Sequence, residues 1–391
     1  MSPIPPLDLT RQYTTLLEAD VSTAVLALLR SGRYIGGQAI TDFEAAFASY
    51  VGNDHCVGCN SGTDALYLAL RALDIGPGAE VITSTFTFIA TAETISAVGA
   101  KPVFVDIDPN TFNLDVAQVE AAITPATRAI MPVHLFGRPV DMAAVMAIAT
   151  QHNLLVIEDC AQAAGAQWQG RQVGSIGHIG CFSFFPTKNL GACGDAGAIT
   201  TNDAAIATRL KVLREHGQPQ RYTHTEIGIN SRLDAIQATI LQIKLNYLEQ
   251  WNQQRAAIAS RYDQLLASAL PEVIRPTAPA QGKAVWNQYS IRLPHAGSAT
   301  NGQQPELLRD RVRAHLQTQG ISSMIYYPIP LHRQPVYADL GYGEGSLPRS
   351  EQVAQEVLAL PMFPELTATE QERVVAGLQD YFAAAVHQAS P

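Results

Sequence analysis

Apolar, β-branched runs recur about every 20–25 residues through the first two-thirds of the chain: VITSTFTFIA (81–90), KPVFVDID (101–108), RAIMPVHLFG (128–137), NLLVIED (153–159) and GCFSFF (180–185). Helical periodicity fills the gaps between them. This alternation predicts βαβ units around a mostly parallel central sheet flanked by helices, an α/β fold. Ligands of such sheets gather at the carboxyl ends of strands, so the residues just after each run are the ones to inspect for chemistry.

The pattern changes at Leu233. Leu233, Ile236, Ile240, Ile243 and Tyr247 recur at steps of 3, 4, 3 and 4, which predicts one long amphipathic helix running on towards Tyr262. A Pro- and Ala-rich stretch (271–283), a strand-like WNQYSIRL (286–293) and a helix-like PELLRDRVRAHLQTQG (305–320) follow. The expected organisation is a large α/β domain over 1–250 and a smaller C-terminal α+β domain over 251–391. HAGSATNGQQ (295–304) reads as a mobile loop.

At 391 residues and 47% apolar content the chain has ample material for a core. The net charge of −9 gives no global footprint for DNA or RNA, so no nucleic-acid partner is expected. No apolar run reaches the roughly 18 residues that span a bilayer. The start MSPIPPLDLTRQY carries neither a basic nor an apolar leader segment, so a cytoplasmic location and no membrane partner are expected. Five cysteines are too few and odd in number for a disulfide framework. Cys56 and Cys59 form one C-x-x-C without a second pair at metal spacing, so small thiols beside a strand are expected and no metal site.

Three segments carry candidate chemistry. Asn60-Ser61-Gly62-Thr63-Asp64 precedes the helix-like ALYLALRAL, and a helix start offers unpaired N–H groups to a phosphate; ordinary N-capping explains the same residues. Glu158-Asp159-Cys160-Ala161-Gln162 places acids at the end of an apolar strand, where a carboxylate holds a positive charge, caps a helix or joins a buried ion pair. Lys188, in SFFPTKNLG (183–191), lies on a loop after a buried strand; such an amine either faces solvent or, with its pKa lowered, attacks carbonyls. A phosphate cradle, an acid for a pyridinium nitrogen and a lysine for an imine are together what pyridoxal 5′-phosphate asks of a protein.

The ordered motifs RSGRYIGG (30–37), NSGTDAL (60–66), FTFIATAE (86–93), VHLFG (133–137), VIEDCAQAAGA (156–166), SFFPTKNLGACGDAGA (183–198), GINSRLDAIQATILQIKL (228–245) and YYPIPLHRQPVY (326–337) resemble the DegT/StrS family of nucleotide-sugar aminotransferases. The resemblance implies the type I fold of pyridoxal-phosphate-dependent transferases. It implies that Lys188 bonds the cofactor and shuttles the α-proton, and that Asp159 keeps the ring nitrogen protonated. Gln162 would reach the ring's phenolic oxygen, Phe88 would stack on the ring, and Gly62, Thr63 and Ser183 would hold the phosphate. Asn230 would reach that phosphate from a neighbouring subunit, which implies a homodimer. Arg232 is the candidate for an anionic group of either substrate, since its planar fork suits carboxylate and phosphate. His216, Tyr222, Tyr326, Tyr327 and His332 are further candidates for substrate binding.

Two departures from the family pattern are Ser84, in place of a common proline, and Ala196, in place of a glycine. Lysine at 188, where the dehydratase branch has histidine, points to transamination. The implied reaction moves an amino group from L-glutamate to a UDP- or dTDP-linked keto sugar, with the 3-keto branch the nearer resemblance. A 4-keto, perosamine-like substrate and a non-catalytic, cofactor-binding regulatory protein are the alternatives.

Overall fold

Seven five-residue strands build the central sheet: β1 (His55–Cys59), β2 (Glu80–Ser84), β3 (Lys101–Val105), β4 (Thr127–Met131), β5 (Leu155–Asp159), β6 (Ile179–Ser183) and β7 (Gly197–Thr201). In this computed structural model, which describes residues 2–294 and 306–389, they lie in the order β1-β7-β6-β5-β4-β2-β3. The loop expected over 295–304 lies outside the described residues. Strands β3, β2, β4, β5 and β6 pair in parallel. β7 runs against both of its neighbours, β1 and β6. The five apolar runs of the sequence correspond to β2–β6, each shorter than its run. β1 and β7 (HCVGC, GAITT) each contain a glycine and few large apolar residues, and periodicity alone does not mark them.

Helices cover both faces: α1 (Glu18–Ser31), α2 (Gln38–Val51), α3 (Gly62–Ala72), α4 (Ala90–Ala97), α5 (Met142–His152) and α6 (Ala204–Leu213). Side chains alternate along a strand, and β6 shows how the two cores divide. Phe182 points into a layer where Phe47 and Phe182 meet edge-on at 5.0 Å, beside Phe43 and Phe184. Ile179 and Cys181 point the other way, into the layer under α3 with Leu66, Leu70 and Ile157. The same alternation sends Cys56 and Cys59 into opposite layers. They are buried, unpaired thiols on β1 itself.

The helix expected from Leu233 to Tyr262 is two helices, α7 (Ala235–Leu245) and α8 (Leu248–Ala269). The break has a physical cause in the pattern. The stripe that ends at Tyr247 gives way to one starting at the adjacent Leu248 and continuing through Trp251, Ile258, Tyr262 and Leu266. This slip in phase would turn the second stripe away from its core in a continuous helix. α7 packs into the Phe47–Phe182 layer through Ala238 and Leu241, whereas α8 enters a second core.

That second core gathers Tyr262 and Leu266 of α8 and Leu316 of α9 (Leu308–Thr318), whereas α10 (Pro348–Glu356) packs through Val353 and Ala354 against Phe86, Ile107 and Val133; Leu378 of α11 (Ala368–Ala389) and Leu358 complete the second core, around the antiparallel pair β8 (Tyr289–Arg292) and β9 (Val357–Leu360). Ile4 joins it from the start of the chain, bonded to Gly320 O at 2.8 Å. Asp106, just past β3, fastens α10 to the large sheet. Its carboxylate accepts the N–H groups of Arg349 (2.9 Å) and Ser350 (2.8 Å), so the turn after β3 caps the first turn of α10. Among the described residues no helix is long and apolar enough to cross a membrane.

Candidate active site

Three strand ends meet because of β7. Gly197 stands opposite both Cys59 of β1 and Ser183 of β6. The turn after β1 therefore lies against the turn after β6. Ser61 caps α3 by accepting the Asp64 N–H at 3.0 Å, which leaves the start of the helix, Gly62 and Thr63, open to a ligand. Gly62 is required by contact rather than by conformation: a Cβ there would lie 2.5 Å from Ser183 Cβ.

These residues line one cavity of about 520 Å³ with Thr87, Phe88, Thr91, Asp159, Gln162, Lys188, Asp195, Gln288, Tyr326 and Tyr327. Asp159 ends β5 and is buried. Its carboxylate accepts the Thr91 hydroxyl at 2.8 Å and the Ala161 N–H at 3.1 Å. Burial nevertheless pushes its pKa upward, against those bonds and the nearby Lys188. Burial acts the opposite way on Lys188 and lowers its amine to about 8, with Asp159 opposing the shift. The buried carboxylate and the half-buried amine thus face the same cavity.

Gln162 is oriented from both ends. Its carbonyl oxygen accepts the Phe136 N–H at 2.6 Å, and its amide nitrogen donates to the Tyr327 hydroxyl at 3.2 Å. One amide hydrogen is left for a ligand. Phe88, 55% exposed, and Tyr327 flank the opening with ring centroids 6.3 Å apart. Glu158, one residue before Asp159, points to the other side of the sheet. It accepts from His134 Nε2 (3.0 Å) and the N–H groups of Gly174, Ile176 and Gly177. Burial alone would raise its pKa, but these donors outweigh it and hold the carboxyl below the usual range. His134, Glu158 and Cys160 bring possible metal ligands within 4.8 Å of one another. The His134–Glu158 pair is saturated by protein hydrogen bonds, since His134 Nδ1 also accepts the Val140 N–H.

The expected site residues thus divide. Gly62, Thr63, Phe88, Asp159, Gln162, Ser183, Lys188, Tyr326 and Tyr327 line the cavity. Asn230, Arg232, His216 and Tyr222 do not. Asn230 and Tyr222 are exposed, and Arg232 faces Glu215 at 3.7 Å. His332 also stays out of the cavity: it is buried, with Nδ1 against the Thr85 hydroxyl (2.7 Å) and Nε2 against Glu351 (3.0 Å). Both ring nitrogens are engaged, so within this chain it buttresses the wall. Thr87, Thr91, Asp195 and Gln288 were not singled out from the sequence. Thr87 and Thr91 carry hydroxyls one helical turn apart beside an apolar run, a signal that was legible.

The fold is that of pyridoxal-phosphate-dependent aminotransferases. The model of the DegT/DnrJ/EryC1/StrS aminotransferase family matches residues 16–379, and the chain belongs to that family. It is 47% identical to a "pleiotropic regulatory protein" of Geobacillus stearothermophilus, over 97% of this chain and 98% of that one. It is also 47% identical to the UDP-N-acetyl-3-dehydro-alpha-D-glucosamine 3-aminotransferase of Acidithiobacillus ferrooxidans, over 95% and 96%. The solved structure of S. venezuelae DesV in complex with a ketimine intermediate matches with a TM-score of 0.91 at 43% identity, over 97% of this chain and 99% of that one.

Pyridoxal 5′-phosphate is the family's cofactor, and the cavity fits it on physical grounds. A side-chain-free approach at Gly62 beside a helix start suits the phosphate, the buried carboxylate suits a protonated ring nitrogen, and the amine near pH 8 suits an aldehyde. Gly62→Ala is expected to raise the cofactor Kd about tenfold or more, roughly 1.4 kcal/mol, because the added methyl displaces Ser183. Absorbance titration of the apo-protein measures this, and an unchanged Kd would place the phosphate elsewhere.

Proposed function

We propose that this aminotransferase moves an amino group from L-glutamate to a nucleoside-diphosphate 3-keto sugar, UDP- or dTDP-linked. The observation that carries the reading is the convergence of Asp159, Lys188 and the Gly62–Ser183 cradle on one 520 Å³ cavity. The names of relatives that act at C3 of nucleotide sugars support the sugar class. When bound, the cofactor supplies the carbonyl that takes the donor's amine and a ring that delocalises the electrons left when the α-proton departs.

The chain's own residues do the rest. Gly62, Thr63 and Ser183 bind the phosphate through the helix start and a hydroxyl. Asp159, held by Thr91 and the Ala161 N–H, would keep the ring nitrogen protonated. Gln162 would offer its remaining amide hydrogen to the ring's phenolic oxygen, and Phe88 would stack on the ring. Lys188 Nζ takes the α-proton and returns it one position along, the work of a general base whose pKa lies near neutrality. Tyr326 and Tyr327 border the side where the sugar enters.

A homodimer completes the site in this reading. Asn230 and Arg232 stand on a segment outside their own cavity, as does the exposed Tyr222, and they serve the phosphate and an anionic substrate group of a second copy. Exposed apolar residues Tyr34, Ile35 and Ile227 beside this segment support burial against another chain. A protein that sediments only as a monomer at active concentrations contradicts this part.

The purified holoprotein is expected to be yellow, to change its absorption on adding L-glutamate, and to recover with a UDP- or dTDP-linked 3-keto sugar. A panel that includes 4-keto sugars reads the position of amination. No change with any amino donor would sink the reading in favour of a cofactor-binding regulator. Lys188→Ala should abolish the yellow band.

The lowered amine pKa also predicts the pH dependence of cofactor uptake. Only free amine attacks an aldehyde, and a group with a pKa of about 8 is mostly protonated at pH 7 and half free at pH 8. Uptake by apo-protein should therefore rise about fivefold from pH 7 to 8 and level off above about pH 9. A rise that continues to pH 10.5 would mean an unperturbed lysine.

A further inference from the structure

Lys244 is the one buried lysine among the described residues, and nothing in the reaction above uses it. It lies in the last turn of α7 with only 5% of its surface exposed. Burial lowers its amine pKa, and no ion pair joins it to an acid among the described residues. A buried ammonium is costly unless its environment compensates, and Glu365 acts on this one only at a distance, without an ion pair. Two contacts stand in for the missing acid: Nζ donates to Gly191 O at 2.5 Å, and it sits 5.8 Å from the centroid of the Trp251 ring.

Gly191 is three residues after Lys188, at the end of the same loop. That loop is folded tightly: the Lys188 N–H bonds Phe185 O and the Ala192 N–H bonds Phe184 O. A Cβ on Gly191 would lie 2.3 Å from Pro186 O, so the two ends of the loop touch. Between them, Asn189 is held by its own set of bonds, donating to Asn252 Oδ1 (2.7 Å) and Val285 O (2.8 Å) and accepting from Asn287 (2.8 Å). Asn189 therefore anchors the loop to α8 and to the segment Val285–Asn287, and Lys244 anchors it on the side of α7.

We propose that Lys244 is a positioning residue for Lys188: its charge-assisted bond to the Gly191 carbonyl fixes the loop so that the Lys188 amine stays aimed into the cavity. A charged donor is roughly twice as strong as a neutral one, which explains why a lysine, with its desolvation cost, stands where an amide would merely satisfy the carbonyl. The proposal rests on Lys188 being the reactive amine.

Lys244→Met, Lys244→Gln and Lys244→Arg in the holoenzyme test it, with Lys188→Ala as the reference for the underlying reading. A displacement of about 1 Å at a reacting group costs up to about 100-fold in rate. Lys244→Met is expected to lower kcat 10- to 100-fold in the glutamate half-reaction, with KM for glutamate within about twofold and a melting midpoint within about 3 °C of wild type. Lys244→Arg should recover most of kcat and Lys244→Gln only part. Wild-type kcat in Lys244→Met overturns the proposal, as does a loss that follows the melting midpoint and is not rescued by arginine. If Lys244→Met does not fold, Lys244→Gln decides: unchanged kcat overturns the proposal. A yellow band retained in Lys188→Ala would instead overturn the reading of Lys188.

Discussion

Asp159, buried, and Lys188, half-buried, are held across one cavity, and desolvation works on them in opposite directions. Each would be driven towards its neutral form alone; each opposes that shift in the other. Stranding either charge by removing its partner is costly, so the surrounding structure is arranged to keep both in place. Thr91 and the Ala161 N–H fix the carboxylate. The loop from Phe184 to Ala192 fixes the lysine through its own backbone bonds and those of Asn189. Such a pair has a ready use when a cationic ring nitrogen and an aldehyde enter between them, since each group then meets its chemical complement.

The antiparallel strand β7 makes this arrangement possible. Inserted between β1 and β6, it sets Gly197 opposite Cys59 and Ser183 and brings the start of α3 against the end of β6. Contacts too close for any side chain at Gly62 and Gly197 record how tightly these turns are packed. An all-parallel sheet with the same strands would have no such register to align the phosphate-sized gap with the end of β5.

Much of this was legible in the chain. Apolar runs marked the five parallel strands because a buried strand must be apolar on both faces. The order of helix start, acid and lysine marked the site because three weak signals point to one ligand. The steps of 3 and 4 up to Tyr247 predict one continuous helix, whereas the chain breaks at Asn246, where the apolar stripe slips by one residue to Leu248. Hydrogen bonds between residues far apart in sequence were not legible: the Thr91–Asp159, Gln162–Phe136 and Lys244–Gly191 contacts depend on strand order. His332 shows the converse, a residue of chemically suggestive type in a suggestive motif whose nitrogens are consumed by Thr85 and Glu351.

The identity of the lysine that bonds the cofactor is the point on which the account stands. Borohydride reduction of the holoprotein, followed by digestion and peptide mass spectrometry, reads it directly. The account predicts one pyridoxyl label per chain, on the peptide containing Lys188. A label on Lys244 or on any surface lysine, with the Lys188 peptide unmodified, would contradict it.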